Sequence, residues 1–256
     1  MKQFEAEQAH EFCKICGACV EVSTHVVFGG GGTLSFKRLR SEAAKYLKGF
    51  TLAEVLVTLG IIGVVSAMTV PSLVQNHQRK TYVTQLHKVY NELSQALLQY
   101  QTDRNAVNLI EAGLHTDVAF QNFVKNYMKV VAECEKMKPP CFADDYKYLD
   151  GSGLSGAEYG RKAFVLGNGS ALRPLFQKEG EKLFNLYIDI NGQKGPNILG
   201  RDLFVVGVYN NALLDVYSAD AVTAPLTIEQ RENSASTNRH WAPFANILND
   251  NWEMNY

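Results

Sequence analysis

The sequence lacks an excess of charge of either sign. Its 25 Lys and Arg residues face 26 Asp and Glu residues, which gives a formal net charge of -1. A strongly basic surface is the usual feature of proteins that bind nucleic acids. The balanced charge therefore gives no reason to expect a nucleic acid as a partner.

Recognisable catalytic motifs are also missing. The chain has no GxSxG sequence and no P-loop, and its carboxylates form no recognisable pair. From residue 50 onward the histidines stand far apart, at His77, His87, His115 and His240. We therefore expect a protein that is not an enzyme.

Cysteine is scarce, with five residues in the chain. Cys134 and Cys141 enclose Glu-Lys-Met-Lys-Pro-Pro, and the two prolines favour a turn that would bring the thiols together. We expect a disulfide here if this part of the chain lies in an oxidising compartment, and two unpaired thiols otherwise.

The other three cysteines lie near the N-terminus. Cys13, Cys16 and Cys19 follow His10 at a spacing that suits zinc or an iron–sulfur cluster. A single CxxCxxC without a second spaced pair is a weak signal for a metal site. The role of these cysteines stays open.

Residues 50–70 form an apolar segment in which Glu54 is the one ionisable residue. As a helix this segment spans about 31 Å, which is enough to cross a bilayer. Glu42 is the single acid in the preceding basic tract, whose members are Lys37, Arg38, Arg40, Lys45 and Lys48. Positive flanks stay in the cytosol, so we expect everything after Pro71 to lie outside. An ordinary signal peptide is a poorer interpretation, because no small-x-small cleavage site follows.

The helical pattern resumes after Pro71 with one polar face. Apolar residues recur at steps of three and four: Val83, Leu86, Val89, Tyr90, Leu93, Leu97 and Tyr100. We predict one long helix, apolar all round in its first half and amphipathic in its second. Gly60, Gly63 and Pro71 should make the first half pliable.

The rest of the chain predicts a sheet that covers this stripe. We expect a further helical stretch over residues 103–131 and strands at Ala163–Leu166, residues 184–190 and Leu203–Tyr209, each bounded by Gly or Asn turns. Residues 223–239 are polar and poor in pattern, and residues 241–252 are typical of a docking segment. The predicted fold class is α+β, with a long N-terminal helix packed on a small antiparallel β-sheet.

The tract Lys48-Gly49-Phe50-Thr51-Leu52-Ala53-Glu54 and the apolar run after it closely resemble the processing signal of type IV prepilins and type II secretion pseudoprepilins. The resemblance covers residues 48–100. It implies a pilin-like fold, cleavage between Gly49 and Phe50 by a membrane-embedded prepilin peptidase, and methylation of the new Phe50 amine. It also implies a helix bend at Pro71.

Glu54 is the residue that physical reasoning singles out in this tract. An acid in a membrane helix is costly without a partner, and its presence indicates a function. The Phe50 amine of a neighbouring subunit is a suitable cation, and the pair would fix the axial stagger of a filament. The alternative is an ordinary flanking residue that extends to the lipid headgroups.

The segment from residue 189 to residue 204 resembles a loop of pseudopilin domains, some of which bind calcium nearby. Asp189, Asn191 and Asp202 would supply the oxygen ligands that calcium requires. An EF-hand does not match, because position 200 is Gly rather than Glu. The alternative is an Asn-Gly hairpin turn with polar flanks.

Together these features predict a cytosolic leader over residues 1–49, a transmembrane and filament-core helix over residues 50–75, and an exported globular domain over residues 76–256. A leader of 49 residues is long for the family, and translation from a start near Leu34 is an equal alternative. We expect a type IV pilus or pseudopilus subunit in the inner membrane and then in an envelope or surface filament. Its expected partners are other subunits, the prepilin peptidase and methyltransferase, and an assembly platform. The alternative function is a monomeric membrane-anchored binding or enzymatic domain.

Overall fold

The structure is a computed structural model that describes residues 50–154, 161–216, 223–237, 239–240 and 242–256. Its internal contacts divide the chain into two units, Met1–Val55 and Leu56–Tyr256. The leader, with His10, the three N-terminal cysteines and Gly49, lies outside the described residues.

Helix α1 runs over Leu52–Asp103 and continues through Pro71. Residues 50–78 are all exposed, whereas the second half buries a stripe against the rest of the domain. The buried residues are Val83, Leu86, Val89, Leu93, Ala96, Leu97 and Tyr100. Their three- and four-residue spacing places them on one face, so the predicted amphipathic half is confirmed.

Helix α2 covers Asp117–Tyr127 and begins at a capped N-terminus, where the Thr116 side chain accepts a hydrogen bond from the Ala119 nitrogen. The predicted helical stretch over residues 103–131 was therefore wrong at both ends. Met128 leaves the helix in an extended conformation. The β-branched pair Val130 and Val131 then starts a strand, because a partner strand is available.

Within the described residues, six antiparallel strands form one sheet in chain order. They are β1 (Val130–Cys134), β2 (Ala163–Leu166), β3 (Ala171–Leu175), β4 (Lys182–Asp189), β5 (Leu203–Tyr209) and β6 (Leu214–Asp215). The central pair places Leu186 opposite Val206 and Asp189 opposite Leu203. The predicted α+β class, with a long helix and an antiparallel sheet, is confirmed.

The central strands of the sheet are buried on both faces, whereas the edge strand β1 is partly exposed. Phe184, Leu186 and Ile188 belong to the main core together with α1 and α2. Leu203 and Val205 point to the other face and pack in a second, smaller core with residues 137–146. Alternation along the strands produces these two sets, because successive side chains point to opposite faces.

The C-terminal region closes the domain. It contains α3 (Ile228–Thr237), in a tail predicted to lack a pattern, and α4 (Ala242–Asn249), whose Phe244 and Ile247 enter the main core. After α4, the Trp252 ring stacks on His87 of α1 with 4.1 Å between ring centroids. The predicted docking segment thus packs on the long helix.

Candidate processing and assembly site

The start of α1 is closed by a reciprocal pair of hydrogen bonds. The Thr51 backbone nitrogen and hydroxyl donate to Glu54 Oε2 at 2.8 and 2.9 Å, and the Glu54 nitrogen donates to Thr51 Oγ1 at 3.2 Å. This is a capping box, in which a Thr and an acid three residues later satisfy each other's backbone donors. The negative charge also lies at the positive end of the helix.

We did not predict from the sequence that Thr51 caps α1. The Thr-x-x-Glu spacing over residues 51–54 is the signal that could have found it. The cap gives α1 a defined first turn directly after Phe50. Phe50 itself is 86% exposed and precedes the helix.

The first half of α1 exposes an apolar surface. Among the described residues, α1 is the one helix long and apolar enough to cross a membrane. The exposed large side chains are Leu52, Val55, Leu56, Val57, Leu59, Ile61, Ile62, Val64, Val65, Met68, Val70, Leu73 and Val74. A surface of this size requires lipid or other apolar helices around it. Added Cβ atoms at Gly60 and Gly63 would meet nothing within 4 Å, so these positions leave room for a close neighbour.

Comparison with known families identifies this segment. Residues 45–70 match the family model described as the prokaryotic N-terminal methylation motif. The chain carries the methylation motif. Such a motif with a long apolar helix fits a type IV pilin or pseudopilin precursor. Neither the curated proteins nor the solved structures contain a significant match to the chain.

The match brings several predicted residues into one motif. It includes Gly49, Phe50 and Glu54 and ends at Val70, one residue before Pro71. The cleavage at Gly49, the assembly role of Glu54 and the bend at Pro71 stay predictions. The helix is continuous at Pro71. Because proline has no backbone N–H, one of the intrahelical hydrogen bonds that keep a helix straight is missing there.

The structure joins Cys134 and Cys141 in a disulfide, with a Cα–Cα distance of 6.2 Å. Cys134 ends the edge strand β1, and Cys141 is buried in the smaller core beside Phe142. Met137, within the closed loop, is also buried there. The bridge therefore ties the edge of the sheet to the segment that covers its second face.

Asp189, Asn191 and Asp202 meet at the ends of β4 and β5. Asp189 accepts hydrogen bonds from the Tyr146 hydroxyl and from the Asn191 nitrogen, the latter at 3.0 Å. Burial, assisted by the charge of Asp202, raises the pKa of Asp189 to about 7. The connection between the two strands spans residues 190–202, so it is longer than a two-residue Asn-Gly hairpin.

This loop also holds amide oxygens that fit a hard cation. Asn191 Oδ1 and Asn197 Oδ1 are buried without a hydrogen-bond partner. Asp202 accepts from the Asn197 and Ile198 nitrogens, at 2.7 Å each, and its remaining lone pairs suit calcium. No group of three or more His, Cys, Asp or Glu side chains with metal-binding geometry occurs in the described part of the chain. A calcium site would thus depend on two carboxylates with amide and carbonyl oxygens.

Proposed function

We propose that this chain is the precursor of a structural subunit of a type IV pilus or type II secretion pseudopilus, and that it polymerises through its N-terminal helix. The observation that carries the proposal is the exposed apolar first half of α1, which begins inside the methylation motif and has Glu54 as its one acid. Neighbouring subunits would cover this helix in the filament. The globular domain would form the outer coat.

Processing is the first step of the proposed mechanism. A prepilin peptidase in the inner membrane cuts between Gly49 and Phe50 and releases the basic leader. The Phe50 amine then becomes a cation at the start of α1. Methylation keeps this amine positively charged at neutral pH.

Assembly uses the charge that cleavage creates. The Phe50 amine of one subunit pairs with Glu54 of its neighbour, and in a filament core free of water this pairing sets the axial register. Glu54 Oε2 already accepts two hydrogen bonds from Thr51, so the carboxylate is held in place before a neighbour arrives. Residues 50–75 act as the membrane and filament segment, and residues 76–256 act as the exported domain.

The processing step is tested by the mass of the protein in the cell envelope. We expect a chain that starts at Phe50 and carries one added methyl group. Gly49→Val should block cleavage, because a branched side chain crowds the scissile bond. Gly60→Ala is the matched control, since its added Cβ meets nothing within 4 Å. A mature N-terminus at any other residue contradicts the proposal.

A monomeric anchored domain is the second candidate function. A partly apolar cavity of about 320 Å³, lined by residues that include Tyr148, Leu149, Pro243 and Tyr256, favours it. Chemical cross-linking of intact cells separates the two functions. A filament subunit gives a ladder of multimers, whereas an anchored domain stays monomeric.

A further inference from the structure

A group of basic side chains lies where α1 leaves its exposed apolar segment. Arg79 and Lys80 follow Val74, the last exposed large apolar residue of that segment, by five and six positions. At 1.5 Å per residue these positions are about 8 and 9 Å further along the helix axis. The headgroup layer of a bilayer is about 5 to 8 Å deep. Long basic side chains at this height can extend back toward the lipid phosphates.

The loop between β4 and β5 adds two further basic residues, Arg201 in a groove shared with α1 and Lys194 next to that groove in the sequence. Arg79 borders one groove of the surface together with Gly195, Pro196 and Arg201. Lys194 directly precedes Gly195 and is exposed. The Arg201 guanidinium is held in place by Met254 Sδ at 3.4 Å. We call Arg79, Lys80, Lys194 and Arg201 the basic cluster.

The basic cluster is not neutralised by the domain itself. None of its members forms an ion pair with another described residue, whereas Lys125 and Lys162 both pair with Glu133 elsewhere in the domain. Two acids lie near the four bases: Glu253 borders the groove beside Arg79 and Lys80, and the charge of the exposed Asp250 acts on the Tyr256 hydroxyl together with those of Arg79 and Arg201. The nearby Asp202 is buried, with its two oxygens occupied by backbone N–H groups. The exposed charge at this end is therefore positive.

We propose that the basic cluster binds anionic phospholipid headgroups at the membrane surface from which α1 emerges. The proposal rests on the membrane anchorage of the proposed function. Its specific support is the agreement of height and charge. Arg79 and Lys80 lie about 8 and 9 Å beyond Val74, which is about one Debye length, and Arg201 borders the same groove as Arg79. This contact holds the base of the exported domain on the bilayer until the subunit enters a filament.

Lysine acylation of the full chain in lipid nanodiscs tests the proposal. One sample contains phosphatidylcholine alone, and the other contains equal parts of phosphatidylcholine and phosphatidylglycerol. We expect Lys80 and Lys194 to react about fivefold more slowly in the anionic discs, and high salt to abolish the difference. Lys88, two turns further along α1, and Lys178 are internal controls and should react equally in both samples. Arg79→Gln with Arg201→Gln should reduce the protection, whereas Lys88→Gln should not.

Three outcomes would overturn the inference. Equal reaction rates of Lys80 and Lys194 in the two discs would show that the basic cluster does not contact anionic lipid. Equal protection by inorganic phosphate in the phosphatidylcholine discs would indicate a site for small anions instead. An equal slowing of Lys88 acylation in the anionic discs would indicate that the charge of the disc affects exposed lysines in general and not the basic cluster in particular. Failure of the chain to insert into either disc would instead contradict the membrane anchorage of the proposed function.

Discussion

Glu54 Oε2 lies 2.8 Å from the backbone nitrogen of Thr51, so the acid of the methylation motif caps the helix on which it stands. Glu54 thus has a local role in addition to the proposed contact with a neighbour. The two roles require different chemistry. The cap needs a hydrogen-bond acceptor, whereas the pair with the Phe50 amine needs a negative charge.

Glu54→Gln separates these two roles. Gln serves in a capping box as Glu does, so the first turn should survive while the charge is lost. We expect normal membrane insertion, because removal of a charge makes insertion easier, and a sharp loss of assembled multimer. The measurement is the amount of cross-linked or sheared multimer relative to total membrane protein. Equal multimer at equal expression would rule out a register set by charge.

Thr51→Val provides the reverse control. It removes the hydroxyl that accepts from the Glu54 nitrogen and should weaken the cap by about 1 kcal/mol. It keeps the carboxylate, so assembly should be reduced less than in Glu54→Gln. A larger loss in Thr51→Val would mean that the helix cap is the main requirement.

The fragment of residues 76–256 should fold without the membrane segment. Its half of α1 buries Val83, Leu86 and Leu93 in the main core, whereas residues 50–75 are exposed throughout. We expect cooperative unfolding in urea, followed by circular dichroism. An insoluble or molten fragment under oxidising conditions would show that the domain boundary is misplaced.

Reduction of the Cys134–Cys141 bridge should destabilise that fragment. Closure of a loop of this size restricts the unfolded chain and contributes about 2 to 3 kcal/mol. The free energy of unfolding should fall by this amount when reductant is added. A variant with both cysteines replaced by Ala should show no response to reductant. Two freely alkylated cysteines in envelope protein prepared without reductant would exclude the bridge in the cell.

Arg231→Met should strongly destabilise the domain. Its guanidinium donates to both oxygens of Asp215 at 2.8 Å, and Asp215 is 1% exposed. The substitution leaves a buried carboxylate without its counter-charge, which costs about 3 kcal/mol or more. Arg239→Gln is the matched control, because its ion pair with Asp150 is exposed and should contribute less than about 1 kcal/mol. Urea unfolding of the fragment measures both, and equal effects would contradict the prediction.

Asp189 should make the stability of the domain depend on pH. Burial raises its pKa in the folded state from 3.8 to about 7. The contribution of this group to stability is therefore complete below pH 4 and is lost as the pH rises through 7. In the presence of a chelator, the unfolding free energy should fall over this interval, and Asp189→Asn should flatten the fall. Asp144→Asn, at a carboxyl that is 75% exposed, is the matched control for removal of a charge.

Calcium should oppose this loss of stability at high pH by binding to the ionised Asp189. A bound cation favours the ionised carboxylates of Asp189 and Asp202, so calcium should stabilise the fragment more at pH 8 than at pH 5. The readout is the shift of the melting temperature on addition of calcium after chelation. No shift at pH 8 would exclude calcium from the loop of residues 190–202.

The parts of the fold that follow local rules could be predicted from the sequence. The stripe of α1 and the bounds of β2 and β5 were correct, because periodicity and Gly or Asn turns mark them directly. Strand β3 was not predicted, since Arg173 and Pro174 interrupt its apolar pattern. Arg173 is buried because β3 lies between β2 and β4. This placement depends on pairing with distant segments and cannot be read from the residues around Arg173.

The remaining misses also depend on distant contacts. Helix α3 has a polar sequence and is fixed by the pair of Arg231 with Asp215 on β6. The first two residues of β1 were assigned to a helix and the rest of the strand was not predicted, because its pairing with β2 cannot be read from residues 128–134 alone. At the candidate site, Glu54 was found from its charge in an apolar run. The buried environment of Asp189 depends on Tyr146, 43 positions away.

If the domain is exported as proposed, the stacking of Trp252 on His87 sets an order for its folding. A chain that enters the membrane through its first helix delivers α1 to the far side before any strand, and the sheet strands follow in the order in which they pair. Strand pairing can therefore proceed as the chain emerges. Two of the contacts that cover α1 form late in this order. The Tyr90 hydroxyl donates a hydrogen bond to the Leu214 carbonyl oxygen, and the His87 ring stacks on Trp252. In the proposed export, α2 and the strands cover most of the α1 stripe, and the part around His87 and Tyr90 stays exposed until residues 214–252 have crossed. Loss of Trp252 should therefore leave this part of α1 open to envelope proteases.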